Sequence, residues 1–280
     1  MTFNKTSFSG HEKFECKLSW LPFTYRDIDI TFGDLETAMS LTGLGSNKVK
    51  SLRQWIHKFS LLDDGNLTEE ANLIFSKDPY LENIDSLWIL HTYLTQNFEK
   101  ATLYYLFFNQ FFLSTFTKNS LLHKVELWCS DHDIGISPTT LENDITVLTK
   151  MYQRNDEKEQ FSASIFHDLN LLHKIDNEYT LNVKNPAPLS DAAFLYIFLY
   201  FIRDHEGNTI SFKDLQYGQR SLQHTLCLTE EKFLEKLEKL SSLTNNQIAY
   251  QEAAGIKQIY INRMPDLLAE LSNVYGKDAA

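Results

Sequence analysis

Lys48, Lys50, Arg53 and Lys58 lie between Gly43 and Leu62 with no acid among them, and Asn47, Ser51 and Gln54 are interleaved. Such cations neutralise phosphates, while amides and hydroxyls hydrogen-bond base edges in a groove, so the segment reads as a DNA contact. A second set carries acids and imidazoles. His11 and Glu12 sit in the run Phe8-Ser9-Gly10-His11-Glu12, and Asp78, Glu82, Asp85 and His91 stand near one another farther along. An imidazole beside a carboxylate suits proton transfer. Carboxylates in a group hold Mg²⁺ or Mn²⁺ about a scissile phosphate, so His11, Glu12, Asp78, Glu82 and His91 are the candidates for divalent-metal-dependent DNA nicking. The spacing limits them: a zinc HExxH helix needs histidine at position 15, where Glu15 stands. A capped turn anchored by Phe8 and Phe14 explains His11 as well, and helix-end acids with a core histidine explain the rest. No GxxxxGK[ST], GxGxxG or GxSxG run occurs, so neither a nucleotide cofactor nor acyl chemistry has a sequence basis.

The cations need a rigid element beneath them. Val49, Leu52, Ile56 and Phe59 recur at helical spacing and form one apolar stripe, with Asn47, Lys50, Ser51, Gln54 and Lys58 expected on the opposite side. A shorter helix with Leu35, Ala38 and Met39 precedes it, and Thr42-Gly43-Leu44-Gly45-Ser46 makes the turn. The outline is a helix-turn-helix whose second helix suits a major groove. The alternative is a surface helix with a solvated basic face.

The local sign is the reverse of the whole: 26 basic against 37 acidic residues leave a formal charge of −11 over 280 residues. A general nucleic-acid coat is thereby disfavoured, since non-specific affinity rests on phosphate neutralisation, but one basic face remains workable. Hydrophobic residues make up 43% of the chain, enough for real cores, and glycine and proline are scarce. The longest apolar run, Ala192 to Ile202, is too short to span a bilayer and reads as a buried helix. The N-terminus lacks the apolar core of a secretory signal, and Cys16, Cys129 and Cys227 are too scattered for a metal site. A cytoplasmic protein with reduced thiols and no membrane partner is expected.

Along the chain one module recurs: helix, turn, helix, then a β-rich tail. The expected fold is mainly α, with tandem winged-helix-like units and small β-wings around an aromatic helical core. The expected units are 1–116, 117–185 and 186–280. The first holds the basic helix-turn-helix, a wing turn at Asp63-Asp64-Gly65-Asn66, and aromatic helices from Leu87 to Phe116. In the second, Ser137 and Pro138 start a helix whose exposed face holds Glu142, Asn143 and Asp144, a poor phosphate reader. A polar stretch from Gln153 to Gln160 and a strand-turn-strand at Leu171 to Leu181 follow. The third has helices at Ala192, at Lys213 to His224 and after Thr229, a hairpin flanking Ala254-Gly255, and a last helix from Pro265. On charge grounds the second and third units are expected to pack or bind partners.

Over about the first 112 residues the chain resembles a known bacterial family. The blocks that carry this are FSGHEKFECKLSWL, LGSNKVKSLRQWIHKFSLL, LTEEANLIF, DPYLENIDSLWILH and ATLYYLFFN, in that order. The matched positions are Ser9, Gly10, His11 and Glu12, then Gly45, Asn47, Lys48, Val49 and Arg53, then Asp78, Pro79, Tyr80, Leu81, Glu82 and His91. The family is found beside PAPS-reductase-like genes in DNA phosphorothioation loci, and the SspB-like proteins of Ssp-type systems are similar to it. The resemblance implies a role in phosphorothioation-based phage defence, with double-stranded DNA and other proteins of the system as partners, and DNA nicking by SspB-like members. The rival reading is a non-enzymatic adaptor in which acidic winged helices bind proteins and the basic helix docks on one of them.

Overall fold

The computed structural model describes residues 5–153 and 163–276. The polar stretch expected after Gln153 lies, but for that residue, outside them. Short helices α1 (Trp20–Arg26) and α2 (Ile28–Phe32) precede the expected pair, α3 (Leu35–Thr42) and α4 (Ser46–Lys58). Asp34 caps α3 by accepting the Thr37 N–H, and Gly43, at φ 67°, ends it in the left-handed region that glycine adopts without strain. Leu62–Asp63 (β1) and Asn66–Leu67 (β2) form a minimal hairpin across Asp64-Gly65. Thr68 then caps α5 (Glu69–Lys77), with Glu69 and Glu70 in its positive first turn.

The aromatic stretch becomes α6 (Ile84–Gln96) and α7 (Thr102–Tyr105), the latter running into a π-helical turn over Leu106–Phe111. α6 is buried from Asp85 to Thr95, so it is the central rod. Trp88, Tyr93, Tyr104, Tyr105, Phe107 and Phe108 are all buried, which makes them packing groups and removes them as base-stacking surfaces. Each such ring contributes about 2 kcal/mol of transfer free energy. Asn109, inside the π turn, is a polar junction within this core. Its Nδ2 donates to the carbonyls of Thr95 at 2.8 Å and Tyr105 at 3.0 Å, and its Oδ1 accepts from Gln96 and the Ser221 backbone.

Next come β3 (Thr115–Phe116), α8 (Lys118–Asp131), α9 (Pro138–Tyr152), β4 (Leu172–Ile175) and β5 (Glu178–Leu181). The sheet runs β3-β5-β4, antiparallel throughout. The last segment repeats that order: α10 (Asp191–Ile202), β6 (Thr209–Ser211), α11 (Phe212–Tyr217), α12 (Leu222–Thr225), α13 (Glu230–Glu238), α14 (Leu240–Leu243), β7 (Ile248–Ala253), β8 (Ile256–Ile261) and α15 (Leu267–Val274), with strands ordered β6-β8-β7. The single helix expected over Lys213 to His224 is thus two. It breaks at Gly218, where an added Cβ would stand 2.5 Å from the Asp214 carbonyl oxygen. One hydrophobic cluster runs from Cys16 through Trp55, Trp88, Tyr152 and Phe198 to Val274, so the core is continuous across all three expected units. Among the described residues no helix is long and apolar enough to cross a membrane, and the three cysteines are buried and free.

Candidate nucleic-acid interface

Val49, Leu52, Trp55 and Ile56 bury one face of α4. The N-terminal arm packs on it: the Phe14 carbonyl accepts Trp55 Nε1–H at 3.0 Å and Ser51 Oγ–H at 3.4 Å. Asn47, Lys48, Lys50 and Gln54 are exposed together on the outer side. Lys48 Nζ lies 5.9 Å from the Phe14 ring centre, a cation-π contact that directs the ammonium without neutralising it. Among the described residues neither Lys48 nor Lys50 forms an ion pair. Gln54 is braced by the arm, because a Cβ on Gly10 would meet its Oε1 at 3.2 Å while Gly10 itself sits at φ +86°.

Three expected contact residues are placed otherwise. Ser51 is fully buried and Lys58 is 4% exposed, so both leave the outer face. They lie beside the apolar stripe, where the arm and the segment before α7 close over α4. Lys58 Nζ donates to the Lys100 carbonyl at 2.8 Å and to Ser7 Oγ at 3.4 Å. Burial pushes its pKa down to about 8, against the opposing pull of Asp144. Arg53 is half-buried, its guanidinium donating to the carbonyls of Thr31 at 2.6 Å and Gly33 at 2.9 Å. It braces α4 against the end of α2.

The acid and imidazole candidates fall in separate places. His11 is buried; its Nε2–H donates to Asp144 Oδ1 at 2.8 Å, and its Nδ1 accepts the Lys13 N–H at 3.2 Å. The Ser9 N–H reaches both Asp144 oxygens, at 3.0 and 2.8 Å, and the His11 ring stacks on Trp55. The Ser-Gly-His run is therefore a clasp between the arm, α4 and α9. Glu12 points to solvent at φ 47°. Asp78 closes its own turn, one oxygen accepting the Glu82 N–H at 2.9 Å and the other the Asn83 N–H at 3.1 Å. Glu82 is exposed at the rim of a cleft of about 470 Å³ beside Tyr25, Arg26 and Tyr80. His91 is fully buried, accepting from Tyr152 O–H at 2.8 Å and donating to the Thr225 carbonyl at 2.7 Å. Burial pushes it down to about 4, so it is a neutral core histidine. Among the described residues no three histidine, cysteine, aspartate or glutamate side chains come together as metal ligands. Among the described residues the five candidates therefore do not gather into one group of ligands.

Asp144 is the residue that the spacing misplaced. The sequence places it on the solvent side with Glu142, yet it is 4% exposed, a buried carboxylate held by two donors, the Ser9 N–H and His11 Nε2–H. Its position three after Leu141 and four before Leu148 puts it on the apolar side of α9, and that signal was legible.

These features define a mainly α protein of acidic composition with a cationic helix face on α4. Over residues 8–275 the chain matches the family described as "Protein of unknown function (DUF4007)", and it belongs to that family. Two solved structures share the fold, an SspB crystal structure and a magnesium-ion-bound SspB crystal structure. Each is similar at a TM-score of 0.82 and 22% identity, covering 98% of this chain and 90% of theirs. The likeness read from the first blocks thus extends over the whole described chain. No curated protein matches it.

Proposed function

We propose that this chain is the double-stranded-DNA-binding component of a DNA phosphorothioation-based anti-phage defence system, working in the cytoplasm with other proteins of that system. The exposed α4 face carries the reading: Asn47, Lys48, Lys50 and Gln54 present amides and ammonium groups that, among the described residues, form no ion pair, on a chain of net negative charge. Lys48 and Lys50 neutralise phosphates; Asn47 and Gln54 approach base edges. The fold shared with SspB supports the system, and the strand orders support tandem winged-helix-like units. In both three-stranded sheets the first strand pairs with the last and the closing hairpin is the wing, with two α-helices before that hairpin in one sheet and four in the other. On that reading 1–116, 117–185 and 186–280 are the units, and β3, at the end of the first, completes the sheet of the second by pairing with β5.

Fluorescence anisotropy with a labelled duplex across a salt series tests this. Lys50→Ala should weaken binding to every sequence and flatten the salt slope by about 0.9. Absence of duplex binding at low salt would overturn the reading. A second reading is divalent-metal-dependent strand nicking, which the resemblance to SspB-like proteins implies and with which the magnesium ion of one SspB structure accords, although among the described residues the five candidates do not form a group of three ligands. Supercoiled plasmid that stays intact with Mg²⁺ or Mn²⁺, no different from an EDTA control, would eliminate that reading.

A further inference from the structure

A second group of cations lies where the sequence pointed to packing. Lys118 opens α8 and its Nζ donates to Thr146 Oγ1 on α9 at 3.2 Å. Lys150 stands one turn beyond Thr146 on the same helix and is exposed. Lys174 comes from the other side: its Nζ sits 5.8 Å from the Tyr179 ring centre, and Tyr179 stacks on Phe116, two residues before Lys118. The register agrees, since Tyr179 pairs with Phe116 on one side and Lys174 on the other. Partial burial and the nearby charges of Lys150 and Lys174 all lower the Lys118 pKa, the behaviour of like charges crowded together. Among the described residues no carboxylate forms an ion pair with any of the three.

The arm runs between the group and the α4 face. Lys48 lies over Phe14; the next residue, Glu15, pairs with Lys17 at 2.7 Å and feels the charge of Lys150. The arm thereby joins α4 to the α9 end of the second unit. Mutual repulsion of the three ammonium groups is relieved when a polyanion covers them, and a duplex backbone supplies regularly spaced phosphates.

We infer that Lys118, Lys150 and Lys174 are a second phosphate-backbone contact for the same DNA duplex that α4 engages, with the arm bridging the two. The inference rests on the reading of α4 given above, and goes beyond it by placing the second unit on the DNA. The test compares three proteins in the anisotropy salt series: the full chain, K118Q/K150Q/K174Q, and K48Q/K50Q. The expected result is a slope smaller by about 3 units in the triple variant and by about 2 in the double. A triple variant that keeps the full slope, while the double variant loses its share, overturns this inference and leaves the α4 reading standing. No duplex binding by the full chain overturns both. Mass-spectrometric lysine-acetylation footprinting of the full chain gives a readout free of variant folding. Duplex protection of Lys118, Lys150 and Lys174 supports the inference; protection of Lys48 and Lys50 alone overturns it.

Discussion

At the scale of residues, the polar groups inside this protein are the sharpest targets. Asp144 holds His11 and the Ser9 N–H in a buried clasp, so Asp144→Ala strands two donors. Loss of about 2–4 kcal/mol is expected, read as a lower urea midpoint. His91 titrates in the opposite sense to a surface histidine. Its folded pKa of about 4 lies below the unfolded value of about 6.5. The unfolded chain therefore takes up the proton first as pH falls. Its contribution to stability is full above pH ~6.5, fades down to pH ~4, and amounts to about 3 kcal/mol. His91→Gln keeps hydrogen-bonding capacity without a titrating group. Urea unfolding at neutral pH and near pH 4.5 should show the wild type losing about 2 kcal/mol more than the variant. Lys58 runs on the alkaline side: a folded pKa of about 8 against about 10.4 unfolded means that its burial opposes folding at neutral pH. Relative to Lys58→Met, the wild type should gain about 2 kcal/mol between pH 8 and 9.5, measured by the same unfolding curves.

At the scale of elements, close backbone approach decides what can be changed. The arm turns at Gly10 against Gln54, and φ +86° together with the 3.2 Å approach leaves no unstrained place for a Cβ. Gly10→Ala should cost about 1–2 kcal/mol in thermal or urea unfolding, because both strain and displacement of Gln54 oppose it. It should also weaken duplex binding, since Gln54 is on the proposed reading face. Periodicity read α4, α6 and α10 well, because long apolar stripes repeat the helical period often enough to stand out. It missed β3 and β6, whose two or three residues contain no repeat and exist only as partners of β5 and β8. It also joined α11 to α12, since the break is a turn to extended backbone at Gly218, where a side chain would not fit, and spacing does not register it.

At the scale of the whole molecule, the core cluster joins all three expected units. Unfolding should then be one cooperative transition. Near-UV and far-UV circular dichroism should coincide with the fluorescence of the buried tryptophans Trp20, Trp55, Trp88 and Trp128. Separate transitions would show that the units fold independently.

The amino-acid order alone decided the mainly helical character, the aromatic core, the basic segment and the family blocks. Each of these is written in neighbours along the chain, as period, composition or contiguous motif. Which polar side chains face water was decided in three dimensions. Ser51 and Lys58 turned inward because the arm and the segment before α7 close over them. For Asp144 the inward side of α9 was legible in its spacing, but the donors that make its burial tolerable come from over a hundred residues away. Burial of a charged or hydroxyl group depends on partners distant in sequence, and no local pattern encodes those partners.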